Sequence, residues 1–163
     1  MVLLFFISSF IFGTCLGSFF GALIDRLPRG EQVLHGRSKC EHCHKILEPR
    51  DLVPIISYIL LRGRCRHCHS RIPIRVFLAE LTGGIVASTL FLYFYLSGLS
   101  VIEFILLLAI SFSLIGIFSS DLIYGIIPDE FIATIIAGSF FLLVSTPLRQ
   151  NFITSVTASL IVF

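Results

Sequence analysis

The chain has 163 residues, 56% of them hydrophobic, with a mean hydropathy of +0.97, where a soluble domain would be about 45–50% apolar. The formal net charge of +2 says little, because eleven of the twelve Lys and Arg residues lie between Asp25 and Arg75, with all five His and four of the five Cys. This excludes an ordinary soluble domain. It also argues against nucleic acid, since the basic residues are interleaved with Cys, Pro and acids.

The apolar excess falls in long runs. Val2–Ile24 is uncharged over 23 residues, enough to cross a hydrocarbon core that needs about 20. A signal peptide is the rival reading, but the run is too long, no basic residue precedes it and a basic cluster follows it. It is therefore predicted as span one. Gly13, Gly17 and Gly21 recur every fourth residue on one face of it, a small-residue stripe suited to close helix packing. Cys15 stands alone there as a small packing residue. Span two is predicted over Val76–Leu96, with Glu80 near its start. Span three covers Val101–Ser120, with Glu103 near its start, and span four Phe131–Leu148. Asn151–Phe163 begins a fifth run of 13 residues, too short to cross, so the chain is expected to be part of a longer protein.

Spans without internal hydrogen-bond partners do not survive in lipid, so helices are expected. The fold class is all-α: a polytopic transmembrane bundle with a four-cysteine, zinc-ribbon-like loop between spans one and two. The division is 1–24, span one; 25–75, the Cys-rich loop; 76–100, span two and its turn; and 101–163, the start of a further domain. Basic residues favour the cytoplasmic side. That puts 25–75 and 121–130 in the cytoplasm and the N-terminus outside, with Arg149 a minority outside charge.

The loop carries two near-copies of one knuckle, Cys40-Glu-His-Cys43-His and Cys65-Arg-His-Cys68-His, with 21 residues between Cys43 and Cys65. Two C-x2-C pairs at this separation fit a structural zinc site, and disulfides are rare in a reducing cytoplasm. Zinc on Cys40, Cys43, Cys65 and Cys68 is the favoured reading; His42, His44, His67 and His69 are alternative ligands, and four free thiols in a flexible loop the bland one. Between the knuckles, Asp51–Arg64 is half apolar and suits the membrane surface, with Pro54 setting its entry. Arg62, Arg64 and Arg66 either meet anionic lipid or simply fix topology.

Two acids flank the turn between spans three and four. Asp121 ends span three. Asp129 opens span four after Ile126-Ile127-Pro128 and suits an N-cap. Acids beside membrane spans point to function by default. Paired carboxylates would suit Asp121: one ionised Asp takes a proton from water while a protonated partner polarises a scissile carbonyl. Asp25 and Asp129 are the available partners near that membrane face, and neither is compelling from sequence.

Taken in order, Gly13-x3-Gly17-Ser18-Phe19, Arg26-Leu27-Pro28-x-Gly30, the two knuckles, Leu61-Arg62-Gly63-Arg64-Cys65, Glu80-Leu81-Thr82-Gly83 and Asp121-x7-Asp129 behind Ile127-Pro128 closely resemble the bacterial type IV prepilin peptidases (family A24, leader peptidase/N-methyltransferase). The resemblance covers residues 10–163. It implies a multi-pass inner-membrane aspartic endopeptidase that cuts the basic leader of type IV prepilins and type II secretion pseudopilins at the cytoplasmic face. It also implies S-adenosylmethionine-dependent methylation of the new N-terminus. Asp121 matches the first catalytic Asp; Asp129, Pro128 and Glu80 match by motif position only. The second catalytic Asp belongs to a Gly-x-Gly-Asp motif, and no Gly-x-Gly follows Asp121 here. Gly21-Ala22 stands where the family often has Asn-Val, and Glu41 where the first knuckle usually has Pro. The implied partners are prepilin and pseudopilin substrates and membrane lipids. The alternative is a non-enzymatic membrane scaffold whose zinc loop docks a partner.

Overall fold

The computed structural model describes residues 2–26 and 38–145, and it is mostly helical. In chain order the helices are α1 (Val2–Arg26), α2 (Ile56–Leu60), α3 (Ile74–Ser97), α4 (Val101–Tyr124) and α5 (Asp129–Ser145), with a 3-10 turn at Pro49–Asp51 before α2. Helices α1, α3 and α4 are long and apolar enough to cross a membrane. At 24 or 25 residues each they reach about 36 Å, against about 30 Å of hydrocarbon. This is the architecture of a multi-pass membrane protein. The expected fourth span starts as α5; its end, Arg149 and the fifth run, Asn151–Phe163, lie outside the described residues.

The helix limits follow from local chemistry. Pro73, which has no N–H to donate, precedes α3 at the N-cap, and Gly98 ends it in the left-handed conformation at φ +66°. Ser100 and Glu103 form a reciprocal capping box on α4: Ser100 N–H donates to Glu103 Oε2 at 2.8 Å and Glu103 N–H to Ser100 Oγ at 3.4 Å. The acid near the start of this span is therefore a cap. Helix α4 passes its expected end at Ser120 and stops only at Gly125, whose φ of +63° closes it through a 2.9 Å bond to the Asp121 carbonyl. Asp121 thus sits inside the last turn. Asp129 is the first residue of α5, and Pro128 precedes it. With Glu130 it places two acids where the helix dipole favours them.

The glycine stripe explains the packing of α1 on α3. A Cβ on Gly17 would overlap the Ala79 carbonyl, one on Gly13 the Gly83 carbonyl, and one on Gly83 would lie 2.5 Å from the Gly13 oxygen. The two helices therefore meet backbone to backbone. The stripe fades at Gly21, where an added Cβ would be an ordinary 3.5 Å from Ala79. Phe20 carries α1 onto the other helices, with ring centroids 5.1 Å from Phe112 of α4 and 6.1 Å from Phe131 of α5. Cys15 is not the packing residue the sequence suggested: it is exposed. At about 100° per residue it points away from the Gly13–Gly17 face.

Candidate functional site

The two knuckles fold identically. In the first, Cys40 N–H bonds the Lys45 carbonyl at 3.0 Å and His44 N–H the Cys40 carbonyl at 2.9 Å. In the second, Cys65 N–H bonds Ser70 at 2.9 Å and His69 N–H bonds Cys65 at 3.0 Å. His44 and His69 both turn the chain in left-handed conformations, at φ 55° and 56°. Single antiparallel bridges, Lys39 to Ile46 and Arg64 to Arg71, close each one.

Folding brings the sulfurs of Cys40, Cys43, Cys65 and Cys68 within 4.8 Å of one another. Cys40 Sγ and Cys68 Sγ are 3.7 Å apart. Tetrahedral zinc with Zn–S bonds of about 2.3 Å requires sulfurs about 3.8 Å apart. The cluster fits such an ion, and none of the cysteines is in a disulfide. The alternative histidine ligands drop out: His42, His44, His67 and His69 are exposed and outside the cluster. Four protein ligands fill the coordination sphere, so the site suits folding rather than reaction.

Without a metal the thiols divide the charge unevenly. Burial pushes the Cys40 thiol up, but the Cys43 and His42 N–H groups, with Ser70 and Cys65, outweigh it and bring it down to about 6. The Lys45 N–H pulls Cys43 down, yet desolvation and the Cys68 and Cys40 thiols carry it up to about 11. Ser70 chiefly lowers Cys68, its hydroxyl 3.0 Å from Sγ and able to donate to the thiolate.

Two further contacts fasten the loop. Arg66 donates through Nε at 2.9 Å and Nη2 at 2.7 Å to Oδ1 of Asp51, whose side chain is 2% exposed. The guanidinium holds that carboxyl below its usual range. The second contact involves Glu80, buried in α3. It accepts from Ser18 Oγ of α1 at 2.9 Å and from Ile55 N–H at 2.7 Å. Ile55 has φ 62° and ψ −52°, and Ile56 N–H bonds the Pro54 carbonyl at 2.6 Å. This is a γ-turn of the rare, strained kind, here on a β-branched residue. Glu80 therefore ties α1, α3 and the loop together at one carboxylate. Glu80→Ala would leave the part-buried Ile55 N–H without its partner, at about 1 kcal/mol, and free the turn. Limited proteolysis between residues 52 and 64 should accelerate in detergent micelles while Glu80→Gln, which retains one acceptor, changes less.

The acids lie at the same end of the bundle as the loop. Tyr124 OH donates to Asp25 Oδ1 at 2.9 Å, Arg75 reaches Asp25 Oδ2 at 3.5 Å, and Arg75 also pairs with Glu41 at 3.2 Å. Asp25 is committed to these partners. Asp121 lies one turn before Tyr124 and is exposed; Asp129 is exposed at the start of α5, and Pro128 before it is buried. Ser18 and Arg75 were visible in the sequence only as motif and basic-cluster members. Nothing in it marked Ile55 or Tyr124.

Residues 11–94 match the family model described as the bacterial peptidase A24 N-terminal domain. The chain is similar to the prepilin leader peptidase/N-methyltransferase of Vibrio cholerae, 33% identical over 154 residues, covering 90% of this chain and 57% of that protein. It is also similar to the protein of that name from Myxococcus xanthus, 33% identical over 82 residues, covering 50% of this chain and 24% of the relative. A third, from Bacillus subtilis, is 36% identical over 72 residues, covering 44% and 29%. The chain spans little more than half of even the Vibrio protein. No solved structure matches it. The family match spans more than half of the 163 residues and includes both knuckles, Ser18 and Glu80, so the chain belongs to the bacterial peptidase A24 N-terminal domain family.

Proposed function

We propose that this chain supplies the metal-binding loop and the first catalytic aspartate of a prepilin peptidase, an aspartic endopeptidase of the bacterial inner membrane. The observation that carries this reading is Asp121, exposed in the last turn of α4 at the loop end of the bundle. The basic loop makes that end cytoplasmic by the positive-inside rule, which is where the basic leader of a prepilin or pseudopilin would be presented. Asp121 acts with a second carboxylate, one taking a proton from water and the other polarising the scissile carbonyl. No Gly-x-Gly-Asp motif occurs in these residues, so the working site takes a further carboxylate. The four cysteines hold a structural zinc ion that shapes the loop. Methylation with S-adenosylmethionine rests on the relatives' name, and no residue here is assigned to it.

The test is leader cleavage from a prepilin by the complete enzyme in detergent. Asp121→Asn should lose cleavage while expression and zinc content stay at the parent level. Undiminished cleavage would remove Asp121 from this role.

A further inference from the structure

The knuckle turn leaves a feature that neither zinc binding nor proteolysis uses. An open cleft beside the second knuckle is lined by Leu60, Leu61, Arg62, Arg64, Arg66 and His69. Asp51 neutralises Arg66. Arg62 and Arg64 have no acidic partner among the described residues. The turn that presents them is specific. Arg64 N–H bonds the Leu61 carbonyl at 3.0 Å, and the residues between, Arg62 and Gly63, are left-handed at φ 51° and 65°. That is the type I′ pattern. Next to the arginines, α2 presents Ile56, Ile59 and Leu60 at 57%, 60% and 76% exposure.

The depth of α2 says what covers these groups. Tyr58 packs against Phe77 of α3 with tilted rings 5.1 Å apart, and Ile55 bonds Glu80. Phe77 and Glu80 lie three and six residues into a span that starts at Ile74, or about 4.5 and 9 Å along its axis. The headgroup layer is roughly 5–7 Å thick on each side of the hydrocarbon. Helix α2 is thus held against the first turns of α3, where its exposed Ile and Leu suit the boundary between headgroups and acyl chains. Guanidinium groups at that level meet phosphates, which they bind through paired N–H donors.

We propose that the cleft is a binding site for one anionic phospholipid, with α2 against its acyl chains and Arg62 and Arg64 on its headgroup phosphate. Each arginine in such a position is worth about 1 kcal/mol, or roughly fivefold in affinity. The site does not depend on peptidase activity.

The experiment uses the purified chain in phosphatidylcholine nanodiscs containing spin-labelled phosphatidylglycerol or spin-labelled phosphatidylcholine, and reads the immobilised lipid fraction. The parent should prefer phosphatidylglycerol. Arg62→Gln with Arg64→Gln should lower that preference by roughly fivefold per charge, and Lys39→Gln with Lys45→Gln, on the other knuckle, should keep it. Unchanged preference in the arginine pair, or equal loss in both pairs, would overturn the site. Displacement of the lipid by inorganic phosphate would assign the cleft to a free anion instead. A photoactivatable phosphatidylglycerol checks the unaltered protein: labelling should map to residues 52–69, and labelling confined elsewhere would overturn the proposal.

Discussion

Cys65→Ser should empty the metal site and unfold the loop while leaving the helices standing. Cys65 is the most buried of the four ligands, and a serine hydroxyl does not replace a thiolate on zinc. Structural zinc sites in small peptides contribute about 10–16 kcal/mol of apparent binding free energy at pH 7, and that energy is folding energy. Among the described residues the other ties of the loop are few: two single bridges, one five-residue helix, the Asp51–Arg66 and Arg75–Glu41 pairs, the Ile55–Glu80 bond and the Tyr58–Phe77 contact. Metal analysis of the purified chain should give about one zinc for the parent and near none for Cys65→Ser. The loop should become protease-sensitive, with helical circular dichroism nearly unchanged. Cys15→Ser, altering an exposed thiol on α1, should keep its zinc. Full zinc in Cys65→Ser would show that the four sulfurs are not the ligand set.

Gly17→Leu should cause the largest loss of helix packing. The added atoms would meet the Ala79 carbonyl and the Glu80 Cα, which are backbone and do not move aside as a side chain would. Helix α1 would have to withdraw from α3 and take Ser18 away from Glu80. Overpacking of this kind costs about 3 kcal/mol or more, roughly 6–12 °C in the thermal midpoint for a chain of this size. Gly21→Leu, at the open end of the stripe, should cost far less. Equal midpoints for the two variants in the same detergent would contradict the backbone contact at Gly17.

What the sequence revealed depended on how local the signal was. The spans were legible because a membrane helix needs a long apolar run, and Val2–Ile24 and Val101–Ser120 are such runs. Helix α4 was still read four residues short, because its end is set by Gly125 and not by the first charge. The cysteine cluster was legible from spacing, and the four sulfurs come together as expected, whereas where the histidines point was not legible. His44 sits beside Cys43 in sequence, and only the folded knuckle shows it turned outward. Glu80 was visible as a charge in a span. Its partners were not, since Ser18 is 62 residues away and Ile55 is a backbone N–H in a loop. The Tyr124–Asp25 bond, 99 residues apart, had no local trace.

The Arg75–Asp25 contact has a consequence for assembly. These two residues are the first and last of the polar stretch, and they touch. Once α1 and α3 have packed through their glycines, the segment between them is a ring with its ends already joined. Helix association therefore carries its closure entropy, which metal binding does not have to supply. The knuckles then meet zinc as two halves of a tethered chelator, so the intact chain should hold the ion at a higher effective concentration than two free C-x2-C peptides could offer each other.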